Sequence, residues 1–271
     1  MDTITAFLLG IVQGFTEFIP VSSSGHLVIL QNLFTVDDSI KILFDTVVHV
    51  GTLFAVVFYY HDDIKKIVLS YTKPISTWKE SIKNDLFFRL GIFLILSTLV
   101  TALLGLPFIG FIQDSLKSPK TVAIALFFTG FILFVVEKFP AKTRKLSMFG
   151  WKDAVFIGMF QALGLMPGIS RSGITIVCAL MLKFTKTESA RYSFLLSVPA
   201  ILGAFALESK HTFSTGLDKD FILPILIGLV SSAIAGVISI KLVLFFLRKS
   251  KLYLFSIYCW ILAILVLILV R

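Results

Sequence analysis

Two polar stretches interrupt an otherwise apolar chain, and both carry groups suited to phosphate chemistry. The first runs from Gln13 through Glu17, Pro20, Ser22, Ser23, Ser24 and Gly25 to His26. The second runs from Pro167 through Gly168, Ser170, Arg171, Ser172 and Gly173 to Thr175. Gln13 and Glu17 are four residues apart, so they share one face of a helix. A carboxylate such as Glu17 holds a divalent cation through oxygen, with Gln13 a weaker ligand beside it. A serine hydroxyl attacks phosphorus and an imidazole moves the proton. Ser23 is therefore the first candidate nucleophile and His26 its base, with attack by His26 itself or by metal-bound water as alternatives. Arg171 is a planar fork of donors that matches phosphoryl oxygens. Ser170, Ser172 and Thr175 add hydroxyls, and Gly168 and Gly173 admit close backbone approach. The helix that follows offers free N–H groups at its start. Plainer readings exist for each: Glu17 at a surface helix end, His26 as packing, the serines as caps, Arg171 as a structural partner of Glu17.

The elements that carry these stretches belong in a lipid bilayer. Of 271 residues, 57% are hydrophobic and 15% charged, against about 45–50% and about 25% in soluble domains. Mean hydropathy is +0.95. Such a chain cannot cover itself with polar groups, so a water-soluble globule and a disordered chain are both excluded. The 28 phenylalanines against 6 tyrosines suit lipid-facing rings with no hydroxyl to satisfy. Cys178 and Cys259 lie in apolar runs, which supports neither a disulfide framework nor a zinc site. No basic-aromatic pattern points to nucleic acid, and the N-terminus lacks the basic stretch of a cleaved leader.

A membrane span needs roughly 20 apolar residues, and six segments qualify: 40–60, 87–106, 119–137, 188–207, 221–244 and 252–270. Residues 1–35 and 151–183 are too long for one span and break at their centres, at the two polar stretches. Each reads as a re-entrant helix–turn–helix hairpin, because non-helical backbone at membrane depth survives only where protein or a watery cavity satisfies it. Sixteen basic residues fall in segments 61–85, 138–152, 183–191 and 246–251, against four (Lys117, Lys210, Lys219, Arg271) in the remaining ends and loops. The positive-inside rule makes the first set cytoplasmic and puts both termini outside. The expected architecture is an all-α integral membrane protein in one domain, 1–271, built as an inverted-topology repeat (1–150 and 151–271). Each half is a re-entrant hairpin followed by three transmembrane helices. At an offset of 148, Gly10, Gln13, Ser22, Ser24 and Gly25 meet Gly158, Gln161, Ser170, Ser172 and Gly173. Inverted repeats place sites near the midplane, at broken helices whose N-termini face anions. The topology thus brings the two turns together, and a metal-phosphate site in a bilayer points to a lipid with a phosphorylated head.

The motifs carry a resemblance. Gln13-xxx-Glu17 with the Pro20 to His26 segment, and the Pro167 to Thr175 segment, resemble the [E/Q]xxxE and PGxSRSxxT motifs of the bacterial undecaprenyl-diphosphatase family of bacitracin-resistance type, over essentially the full chain. The resemblance implies an inner-membrane enzyme with an outward-facing site. It would hydrolyse undecaprenyl diphosphate to the monophosphate, recycle the lipid carrier for peptidoglycan, confer bacitracin resistance and depend on Mg²⁺ or Ca²⁺. Gln13 takes the neutral option of its motif, one charge fewer for a metal. Expected partners are the isoprenoid diphosphate lipid and membrane lipid, with no nucleic acid and a homodimer possible. The competing function is a transporter or flippase for a phosphorylated isoprenoid lipid, since inverted repeats also build transporters. A mere binding site needs neither nucleophile, His26 nor metal, and their co-location favours the enzyme. Three features stand apart. Asp45 and His49 share a helix face as a polar pair lining the hairpin. Gly228, Ser232 and Gly236 form a small-residue stripe for close packing within the monomer, or for a dimer. Pro199 interrupts the fourth span.

Overall fold

The computed structural model describes every residue except 35, 37, 117, 140–142, 216–220, 250 and 270–271. Lys117, Lys142, Lys219 and Arg271 of the charge argument therefore lie outside the described residues. The described chain is helical, its helices being α1 Thr3–Phe18, α2 Ser23–Leu33, α3 Asp38–Tyr59, α4 His61–Tyr71, α5 Trp78–Asn84, α6 Leu86–Gly105, α7 Ile109–Ser115, α8 Pro119–Glu137, α9 Trp151–Gln161, α10 Arg171–Met181, α11 Lys186–Thr215, α12 Ile222–Arg248 and α13 Tyr253–Leu269.

Among the described residues, five helices are long and apolar enough to cross a membrane: Ile40–Tyr59, Leu86–Ile112, Pro119–Glu137, Lys186–Leu207 and Ile222–Arg248. They coincide with five of the six expected spans. The sixth, α13, has 17 described residues, about 25 Å of helix, somewhat less than a hydrocarbon core of about 30 Å. Segment 61–85 folds into α4 and α5 rather than an open loop, and Arg191 of α11 grips Asp63 of α4 through two bonds of 2.7 and 2.6 Å. Pro199 lies within α11. Cys178 and Cys259 are free and buried.

Regions 1–35 and 151–183 each fold as two short helices around a turn. Local chemistry sets the boundaries. Asp2 caps α1, its Oδ1 accepting from the amides of Ile4 and Thr5, and the chain leaves the helix before Pro20, where a helical continuation is disfavoured. Ser22 caps α2 by accepting from the amide of Gly25, and Ser170 caps α10 by accepting from that of Gly173. Serine at this position satisfies an orphan helix N–H. The two caps lie 148 residues apart, the offset at which the sequence alone suggests a repeat.

Tight packing positions the hairpins. α1 lies along α12 and α9 along α6, while α3 packs on α12 and α11, and α8 on α13. Glycine makes the first contact possible. A Cβ on Gly14 would fall 2.5 Å from the Ser232 carbonyl and 2.9 Å from the Gly236 amide. The small-residue stripe of α12 is thus filled inside the monomer: Gly228 faces Phe44 and Val48, and Gly236 faces Ala55 and Phe18. Large apolar side chains such as Leu103, Phe108, Phe127, Phe131, Ile261 and Leu269 stay exposed on the outside, as a lipid-facing surface requires.

Overpacking of this kind costs about 1–3 kcal/mol. Gly14→Ala should lower thermal stability in detergent by that amount, whereas Gly203→Ala, with open space around it, should change it little. Equal melting temperatures for the two variants would contradict the close α1–α12 contact.

Candidate functional site

The two turns meet. The Gly168 amide donates to Ser22 Oγ at 3.1 Å across 146 residues of sequence. Thr129 of α8 closes the second turn, its hydroxyl donating to the Gly168 carbonyl at 2.9 Å and accepting from the Ser170 amide at 3.2 Å. Gly168 has φ +95, and a Cβ there would sit 2.5 Å from the Val122 carbonyl. Only glycine fits on both counts. Backbone that lipid could not satisfy is thereby satisfied by side chains.

At this junction Glu17, at the end of α1, is buried and surrounded by donors. Arg171 Nη2 donates to its Oε1. Its Oε2 accepts from Ser23 Oγ at 2.6 Å and from Gln13 Nε2 at 2.8 Å. His49 Nε2 lies 3.6 Å from the same oxygen. Among the described residues, Arg171 Nη1 is buried with no hydrogen-bond partner. That leaves one arm of a charged donor fork open. Ser23 opens α2 and Arg171 opens α10, so the positive ends of two helices converge here. They face a cavity of about 300 Å³. Its polar wall comprises Glu17, Ser22, Ser23, Ser24, Asp45, Thr46, His49, Ser170 and Arg171. Its apolar wall includes Ile109, Ile112, Leu165, Ile201, Ala204 and Phe205.

Of the residues expected from sequence, Glu17, Gln13, Ser23, Ser170 and Arg171 come together here. The others sit elsewhere for identifiable reasons. His26 does not face Ser23. Its Nδ1 meets the Ser22 carbonyl at 2.7 Å, its Nε2 meets the Tyr258 hydroxyl at 2.8 Å, and its ring stacks on Tyr258 outside the cavity wall. Thr175 turns inward, its hydroxyl 2.6 Å from Ser193 Oγ and bonded to the Arg171 carbonyl. Ser172 pairs with Ser170 at 3.2 Å behind the wall, and Gly168 serves as the joint between turns. Sequence reading gave Asp45 and His49 a minor part, yet α3 brings both to the cavity wall, with Asp45 Oδ1 accepting from Gln31 Nε2 at 2.6 Å. The available signal was a pair of ionisable residues inside a span, and such residues tend to mark functional sites.

The resemblance implies a divalent cation, and the donor set here bears on it. Mg²⁺ and Ca²⁺ want six or more oxygen ligands. Both oxygens of Glu17 already accept from protein donors, and Gln13 turns its NH₂ rather than its oxygen toward Glu17. Among the described residues, no group of three His, Cys, Asp or Glu is placed to hold an ion. A resident metal centre on Glu17 and Gln13 does not fit this arrangement.

Comparison with known proteins adds a second line of observation. The family model described as Bacitracin resistance protein BacA matches residues 6–265. A protein of Alkaliphilus metalliredigens named undecaprenyl-diphosphatase is 44% identical over 265 residues, 96% of each chain. Proteins of the same name from Halothermothrix orenii and Carboxydothermus hydrogenoformans are each 38% identical, over 99% of this chain and 98% of theirs.

The Glu17–Arg171 pair should show strong coupling, since contacting charges in one network deviate from additivity by about 0.5–3 kcal/mol. Thermal unfolding of Glu17→Ala, Arg171→Ala and the double variant measures it. Each single change should destabilise more than its share of the double. Additive effects would mean the pair is not formed.

Proposed function

Because the chain belongs to the bacitracin resistance protein BacA family, we propose that it is a multi-pass membrane hydrolase. Its reaction is the hydrolysis of undecaprenyl diphosphate to undecaprenyl phosphate and inorganic phosphate, which returns the lipid carrier to cell-wall synthesis. The observation in the site that carries this reading is the open Nη1 arm of Arg171, beside a serine hydroxyl held on a carboxylate. Arg171 binds the distal phosphoryl through that arm while Nη2 stays on Glu17. The N-termini of α2 and α10 add positive potential where the headgroup sits. Ser23 Oγ attacks the distal phosphorus, its proton passes to Glu17 Oε2, and the bond from phosphorus to the bridging oxygen breaks. Undecaprenyl phosphate leaves, and water then hydrolyses the phosphoserine. Mg²⁺ or Ca²⁺ would serve only as a counter-ion to the diphosphate, with no protein ligand on Glu17 or Gln13.

The same reading includes an inverted repeat of residues 1–150 and 151–271, with re-entrant hairpins at 1–35 and 151–183. Matched caps on Ser22 and Ser170 support it. So does matched packing, since Gly10 of α1 meets α12 and Gly158 of α9 meets α6. The basic residues then put 61–85 and 138–152 in the cytoplasm, both termini outside and the cavity facing outward from the inner membrane. Cysteines introduced at Lys73 and Arg144 should resist a membrane-impermeant thiol reagent in intact cells, the native cysteines being buried. Labelling of either position would refute this topology.

Turnover tests the chemistry. Ser23→Ala should abolish phosphate release from undecaprenyl diphosphate by purified protein. Arg171→Lys keeps the charge but loses the planar fork. It should lower kcat rather than only raise KM, because Arg171 meets charge that builds in the transition state. Loss of a preorganised donor costs about 2.7–4 kcal/mol, so Arg171→Ala should be slower by roughly a hundredfold or more. Near-normal kcat in Arg171→Lys, with raised KM, would reduce Arg171 to an anchor.

A further inference from the structure

Hydrolysis of a phosphoserine requires a base for the attacking water, and the groups already described are committed. Glu17 Oε2 receives the Ser23 proton, Arg171 is permanently charged, and His26 is held by Tyr258 outside the cavity. Resting on the two-step reading above, we propose that His49 is a further catalytic residue, the general base of the second step.

Three observations carry it. His49 lines the cavity with part of its ring open to it, its side chain 29% exposed. Its Nδ1 lies 2.6 Å from the Asp45 carbonyl one turn earlier. A carbonyl only accepts, so Nδ1 carries the hydrogen, and in the neutral ring the lone pair is on Nε2. That Nε2 stands 3.6 Å from Glu17 Oε2, the oxygen that holds Ser23. A water beside a phosphoryl group on Ser23 is therefore within reach of Nε2. The charged groups on the same wall are Glu17 of α1, Asp45 of α3 and Arg171 of α10, while α11 contributes only apolar side chains there. When water attacks the phosphorus, its O–H bond breaks and the proton goes to Nε2. The bond from Ser23 Oγ to phosphorus breaks, and Ser23 recovers the proton parked on Glu17. Inorganic phosphate leaves and His49 returns its proton to solvent. Once Glu17 has returned its proton to Ser23 it is again a carboxylate, 3.6 Å from Nε2, and its charge stabilises the imidazolium formed.

The test follows both halves of the reaction, using undecaprenyl diphosphate with radioactive distal phosphorus and the purified full-length protein, quenched in acid. In His49→Gln, phosphate release should fall about a hundredfold, within the range a positioned base contributes. Label should meanwhile accumulate covalently on the protein, and Ser23→Ala in the same background should remove it. His49→Gly leaves room for a small ring, and added imidazole should restore release. A merely structural His49 would produce neither trapped label nor rescue. Release at the normal rate in His49→Gln, or loss of release without trapped label and without rescue by imidazole in His49→Gly, would overturn the assignment. Failure of the unaltered protein to release phosphate would instead overturn the hydrolase reading.

Discussion

The contact on which the site depends is the ion pair between Glu17 and Arg171, two residues 154 apart in sequence and both mostly buried. Neither charge is tolerable alone at this depth. A single ion in a low-dielectric interior costs several kcal/mol, and a pair offsets this only if further hydrogen bonds complete it. The completion is visible. Gln13 and Ser23 donate to the carboxylate, while one guanidinium arm is left short of a partner. The pair thus holds the hairpins in register while that arm stays unpaired.

Holding those two residues together constrains much of the fold. Each sits beside a turn whose backbone cannot be helical, since both helices must begin or end at the site. Lipid offers no hydrogen bonds, so the turns must satisfy each other and their neighbours. Ser22 receives the Gly168 amide, and Thr129 receives that of Ser170. Such bonds form only if the hairpins approach to backbone contact, which is why Gly25 and Gly168 face each other. The same requirement extends outward to the glycine contacts of α1 with α12 and of α9 with α6.

Much of this was legible in the residues. Long apolar runs marked five spans, and a proline or glycine within a polar break marked each hairpin. The types of Glu17, Ser23 and Arg171 named the chemistry, because charge and hydroxyls within apolar sequence have few other uses. What sequence could not supply was direction. His26 is three residues from Ser23, and proximity in sequence suggested a pair. Helical geometry turns its ring the other way, toward Ser22's carbonyl and Tyr258, 232 residues distant. Thr175 likewise lies on the inner side of α10, where Ser193 takes its hydroxyl. His49 was visible only as half of a polar pair with Asp45. Its place beside Glu17 depends on α3 packing against the first hairpin, a tertiary contact that residue spacing does not give.

The cavity's two walls explain why a soluble phosphatase design would not serve. A diphosphate joined to a long isoprenoid cannot leave the bilayer cheaply, since each CH₂ brought into water costs about 0.8 kcal/mol. The charged end must therefore be met at the membrane by groups that replace water, while the tail stays in apolar surroundings. Helix N-termini and Arg171 face one side of the cavity, and Ile109, Ile112, Ile201 and Phe205 face the other. Hairpins that re-enter the membrane, as proposed above, would meet this demand directly, because such a hairpin ends its helices inside the membrane, where a continuous span presents only side chains. Partial opening of the backbone at the two turns is the structural cost of bringing the N-termini of α2 and α10 to the cavity. The glycine contacts and serine caps confine that opening to the two turns.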